Sequence, residues 1–174
     1  MEPVSDEDVR KWGGGNLDKA LEEWAKEGRK IDGLEKILNR FLEDPPDEIV
    51  NPDTKLATWD VARSLRYVGT SYSVPLLIKI IEDKNMDFWT RNFSASALGS
   101  IGDLCALGPL IRIVRSNKED KSLRMHAILG LEELGDPAAI PVIEEFLKSD
   151  EIDETDRQHA KLSLEELKKK NLKE

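Results

Sequence analysis

Between residues 54 and 150 the apolar positions of the chain repeat every 33 residues. Ala62, Ala95 and Ile128 share one position; Leu65, Leu98, Leu131 and Leu164 share the next; Val68, Ile101, Leu134 and Leu167 share a third. A glycine follows each time, at Gly69, Gly102 and Gly135. Beyond it stand Val74, Leu107 and Ile140, then Leu77, Leu110 and Ile143, then Ile80, Ile113 and Phe146, then Ile81, Val114 and Leu147. Intervals of three and four residues place these side chains on one stripe of a helix before the glycine and one stripe of a helix after it. Each unit therefore reads as a helical hairpin with glycine at its corner, where a left-handed backbone ends the first helix. Asp87, Asp120 and Asp153, also 33 apart, stand one residue before the first helices as N-caps. Gly99 and Gly130 fall inside the first helices and permit close helix approach.

The flanks are less regular. Residues 16–28 and 31–43 read as a divergent helical pair, preceded by a short helix at 5–12 that Gly13-Gly14-Gly15 ends. The loop 44–53 holds three prolines, which forbid helix continuation. At the far end, 154–170 repeats only the first helix, closing the stack with a polar cap. The expected organisation is a helical cap over 1–53 and three repeats with a capping helix over 54–174, packed as a single domain. The expected fold is an all-α, right-handed α-α superhelix, with first helices convex and second helices concave.

Composition narrows the partners. Charged residues make up 35% of the chain and aromatic residues 6%, as suits a solvated helical protein. The net charge is −9, and residues 1–50 hold 8 Lys/Arg against 14 Asp/Glu, so 8 − 14 = −6 of it sits at the N-terminal end. That balance repels phosphate backbones and anionic lipid, and neither nucleic acid nor membrane is an expected partner. Lys168-Lys169-Lys170 reads as the cationic end of a helix, complementing its dipole. The single Cys105 excludes an intramolecular disulfide, and by register with Ala138 it is expected to be small and buried. The acidic N-terminus lacks an apolar signal core, and a cytoplasmic location is expected.

Arg91, Ala95, Ala97-Leu98-Gly99, Ile101-Gly102-Asp103 and Ala106 are echoed by Arg124, Ala127, Gly130-Leu131, Leu134-Gly135-Asp136 and Ala138. This pattern resembles short HEAT-like repeats of the phycobilisome-lyase type over roughly residues 54–170, with Thr70 in place of the Asp and Thr58 in place of the Arg in the first unit. Ankyrin and tetratricopeptide repeats have a similar period but place their signature residues elsewhere. Arg91, Arg124 and Arg157 project onto the core-facing stripe and need partners. The resemblance implies a ladder in which the corner Asp of one repeat meets the Arg of the next, Asp103 with Arg124 and Asp136 with Arg157. Arg91 would have no such partner.

No metal-ligand spacing, phosphate loop or nucleophile-base pair occurs, so neither a metal nor a cofactor is expected. His126 and His159 share one repeat position and face outward as surface residues. Of Trp12, Trp24, Trp59 and Trp89, Trp59 projects toward the side of its helix. The second helices direct Ile78, Lys79, Glu82, Ile111, Arg112, Arg115, Glu145 and Lys148 outward, and these are the candidate residues for binding a protein or peptide on the concave face. The expected function is a non-catalytic interaction scaffold. The alternative implied by the resemblance is a subunit of a modifying enzyme related to bilin lyases.

Overall fold

The computed structural model describes residues 2–14, 16–28, 31–46, 56–150 and 152–172. Its α-helices are α1 (Asp6–Trp12), α2 (Leu17–Lys26), α3 (Leu34–Glu43), α4 (Thr58–Val68), α5 (Val74–Glu82), α6 (Phe88–Ile101), α7 (Leu107–Arg115), α8 (Lys121–Leu134), α9 (Ile140–Phe146) and α10 (Glu154–Asn171). Short 3-10 turns at Leu104–Ala106 and Pro137–Ala139 lead into α7 and α9. The described residues contain no β-strand, and the protein is an all-α stack of hairpins. Of the loop 44–53, the part from 47 onward lies outside the described residues.

The first helices pack side by side in the order α4, α6, α8, α10, while α5 packs on α6, α7 on α8 and α9 on α10. Leu65, Leu77, Ile81, Leu98, Leu110, Leu123, Ile128, Leu131 and Ile143 are fully buried between the two rows. Burying one such side chain stabilises by about 1.5–3 kcal/mol, so the 33-residue pattern supplies one continuous core. At the N-terminal end α3 packs on α4. Arg40 pairs with Asp6, Arg10 lies over the Phe41 ring and Trp12 meets Trp24 edge-on, joining α1 to the elements that follow it.

The closest backbone approach lies in the first-helix row. A Cβ on Gly130 would stand 2.7 Å from the Ala95 carbonyl oxygen, and one on Gly99 would stand 2.8 Å from the Gly130 carbonyl carbon. Both glycines are therefore required by packing. Gly102 (φ +77) and Gly135 (φ +81) are left-handed corner residues, as their register predicts. Gly69 differs. Its backbone is extended (φ −71, ψ 148), and a Cβ there would meet Ile101 Cδ1 at 2.9 Å, so glycine is needed for space. Asp87, Asp120 and Asp153 cap α6, α8 and α10, accepting from the N–H groups of Thr90, Ser122 and Asp156.

The corner aspartates do not pair with the arginines of the next repeat. Each accepts from the backbone N–H two residues on: Asp103 from Cys105 at 2.9 Å and Asp136 from Ala138 at 2.8 Å. Thr70 does the same for Tyr72 through its hydroxyl at 3.2 Å, which is why a threonine can stand in that register. The arginines serve the other end of the hairpin. Arg91 donates to the Ile81 carbonyl, Arg124 to Val114 and Arg157 to Leu147, three acceptors that are again 33 apart. These carbonyls lie at or just beyond the ends of α5, α7 and α9, where the last turn lacks backbone donors and the helix dipole favours a cation. The periodic contact is thus an arginine staple from each first helix to the second helix before it. Arg91, expected to lack a carboxylate, has Glu119 at 2.9 Å; the two side chains are 11% and 9% exposed.

Candidate functional site

The second helices carry the residues expected to bind a partner, and their charges are largely matched against one another. Glu82 on α5 reaches Arg112 on α7 at 2.6 Å, and Arg115 on α7 reaches Glu145 on α9 at 3.2 Å. The two arginines of the middle repeat are the only uniformly basic spot that the sequence places on this face, and each is balanced by a carboxylate from a neighbouring hairpin. Exposed pairs of this kind contribute about 0–1 kcal/mol each to stability. Their larger effect is to remove net charge from the face. Lys79 and Lys148 stand exposed beyond the two ends of this ladder. Ile78 and Ile111 are half-buried against the core and form no exposed apolar strip.

The exposed apolar surface lies on the first helices. Trp59 on α4 meets Phe93 on α6 at 5.8 Å between ring centroids, and Phe93 meets His126 on α8 at 6.2 Å. Trp89 stacks on Phe93 at 6.2 Å, and Phe88 meets Trp89 edge-on at 4.9 Å. Ring contacts therefore run unbroken across three consecutive first helices. Trp59 and Phe93 are half-buried, with the Arg63 guanidinium 5.5 Å over the Trp59 ring, whereas Trp89 is 53% exposed. Leu129 on α8 and Leu162 on α10, one repeat apart, remain exposed farther along the same row. Helical projection singled out Trp59 alone; the other members become a surface because α4, α6 and α8 come into register. The repeat alignment carried that signal in the shared position of Phe93 and His126.

His126 Nδ1 lies 2.8 Å from the Ser122 carbonyl, which can only accept, so Nδ1 carries a proton and donates it there. His159 is exposed. Among the described residues no group of three or more His, Cys, Asp or Glu side chains could hold a metal ion. Cys105 is exposed, not buried as its register with Ala138 suggested. Ala138 is itself exposed, because the 3-10 turn at each corner directs this position to solvent. The Asp103 carboxylate beside it accepts from the thiol and pushes its pKa up, while hydrogen bonds from Ser71 and Cys105 hold the Asp103 carboxyl below its ordinary value. Lys168 pairs with Glu144 on α9 and Lys170 with Glu132 on α8, tying the end of α10 to the last hairpins, while Lys169 pairs with Glu166 within α10.

No helix of the described residues is long and apolar enough to cross a membrane. Hairpins in register, capped at glycine corners and stapled by arginine, define an α-solenoid. The HEAT repeats family model matches residues 86–165, from α6 into α10, and this part of the chain is HEAT-like. No curated protein matches it.

Proposed function

We propose that the protein is a non-catalytic interaction scaffold that holds a protein partner against the row of rings on its first helices. The observation that carries this reading is the continuous contact of Trp59, Phe93, Trp89 and His126 across α4, α6 and α8, with Trp89 half open to water. Large rings fixed by their neighbours lose little entropy on binding, and aromatic side chains supply a large share of interface energy. The occupant that suits this row is a partner presenting an apolar ridge long enough to reach Leu129 and Leu162. HEAT repeats generally serve as protein-interaction scaffolds, which fits such an extended contact. The second-helix residues Ile78, Lys79, Glu82, Ile111, Arg112, Arg115, Glu145 and Lys148 form a secondary surface, where prior pairing of the charges leaves less to gain from a partner.

The test uses the full chain as bait in an extract of its native cell, followed by reconstitution of the retained partner from pure components. Trp89→Ala and Leu162→Ala should each weaken binding, the tryptophan by about 30-fold, which corresponds to about 2 kcal/mol at an interface hot spot. Both side chains are exposed, so the melting temperature should hold. Unchanged affinity in both variants would refute the ring row. Loss with Arg112→Ala and Arg115→Ala instead would move the site to the second helices.

A further inference from the structure

The face that carries the ring row is divided along its length. Arg63, Ser96, Leu129 and Leu162 share one repeat position, and Tyr67, Ser100, Glu133 and Glu166 share the position one turn on. The half made by α4 and α6 holds Trp59, Phe93 and Trp89 and, at Ser96, a small buried residue; the half made by α8 and α10 holds the exposed Leu129 and Leu162. Charge divides in the same way at the two ends. Arg63 lies over the Trp59 ring, and Arg66 reaches past α6 to Glu133, which also accepts from Ser100, so both cations belong to this face. At the far end α10 exposes Glu165 and Glu166, the latter paired with Lys169 one turn on. One half is thus aromatic with cations at its end, and the other is aliphatic with carboxylates at its end.

We propose that the occupant of this face is a second copy of the chain, related by a two-fold axis that runs parallel to the first helices between α6 and α8. The inference rests on the scaffold reading above and names the partner of that same row. Such an axis keeps each residue at its level along the helices and exchanges α4 with α10 and α6 with α8, so one patch is used twice. Leu129 of one copy then faces Ser96 of the other, where the small side chain leaves room beside Phe93. Leu162 faces Arg63 beside the Trp59 ring, and Arg66 comes opposite Glu166. An axis across the helices would instead set α4 on α4 and α10 on α10, bringing like charges together. It would also join the two N-terminal ends, where residues 1–50 hold −6 of the net charge of −9, whereas the parallel axis puts them at opposite ends of the dimer. The area is sufficient. With α6 and α8 each 14 residues long, about 21 Å, and four helices spanning about 30 Å, each copy offers about 600 Å² and the pair about 1,200 Å², the lower end for a specific complex. A reversible dimer is expected.

Sedimentation equilibrium of the full chain between about 1 µM and about 200 µM reads the association. The mass should rise from that of one chain toward that of two. Leu129→Lys and Leu162→Lys, both at exposed positions, should each weaken the dimer by about tenfold or more with the melting temperature unchanged. Arg66→Glu and Glu166→Arg should each weaken it severalfold, and the chain carrying both should recover it, because the exchanged charges again meet across the axis. A chain that stays monomeric at the highest concentration overturns the second copy and leaves the ring row to the extract experiment, which Trp89→Ala and Leu162→Ala decide separately. A dimer indifferent to both leucine variants forms through another face and overturns the proposal as well. Loss with the leucine variants but no recovery in the doubly exchanged chain overturns the two-fold arrangement.

Discussion

Gly130→Ala isolates what holds the stack together. The new Cβ would lie 2.7 Å from the Ala95 carbonyl oxygen and 3.3 Å from Leu110 Cδ1. Restoring an ordinary 3.4 Å contact to the oxygen requires a shift of 3.4 − 2.7 = 0.7 Å. The obstacle is helix backbone, which has no rotamer to change, so α6 and α8 must separate. A gap of about 0.5–1 Å forfeits roughly a quarter to a half of the dispersion attraction across a contact. Forced overpacking of a core costs about 1–3 kcal/mol. Against this stands the gain in helix propensity of alanine over glycine, about 1 kcal/mol. The net expectation is a loss of up to about 2 kcal/mol, which lowers the melting temperature by up to roughly 8 °C for a chain of this length. Gly108→Ala on α7 is the internal control, because its Cβ would meet only the flexible end of Arg112 at 3.6 Å. It receives the propensity gain without the clash and should melt at the same temperature or a few degrees higher. Thermal unfolding followed by circular dichroism reads both. Stability of Gly130→Ala equal to or above that of Gly108→Ala would refute the claim that glycine sets the distance between first helices.

Three further outcomes follow from the same geometry. Arg91→Met should destabilise by about 3 kcal/mol in urea unfolding, because it strands Glu119 at 9% exposure with only Lys84, 3.8 Å away, as a charged neighbour. A double-mutant cycle between Asp136 and Arg157 should give a coupling below about 0.5 kcal/mol, since Asp136 caps Ala138 and Arg157 binds the Leu147 carbonyl; a larger value would restore the aspartate–arginine ladder. Cys105, exposed but with its thiol pKa raised by Asp103, should react slowly with iodoacetamide at pH 8, and Asp103→Asn should quicken it severalfold by removing the carboxylate charge that opposes the thiolate. Equal rates would remove Asp103 as the cause.

The hairpin architecture was legible in the chain because local chemistry dictates it. Apolar stripes at helical spacing, aspartate N-caps and glycine corners act within a few residues of themselves, and a strict 33-residue register leaves neighbouring hairpins one way to bury their edges. Gly99 and Gly130 belong to this local class, since a glycine inside a helix signals close approach before its neighbour is known. The partners of charged side chains were not legible. Asp103 and Arg124 share a period, and period alone cannot distinguish an ion pair between repeats from two separate tasks, capping a turn and closing a helix end. The same holds for the surface. Arg112 and Arg115 look like a basic pair until Glu82 and Glu145 arrive from adjacent hairpins, and Trp59 stands outside the repeat position that Phe93 and His126 share until three helices set the rings in line. Sequence determined which groups each helix carries and on which face. Only tertiary packing decided which of them meet, because those distances depend on helix spacing and stagger, quantities that no single segment contains.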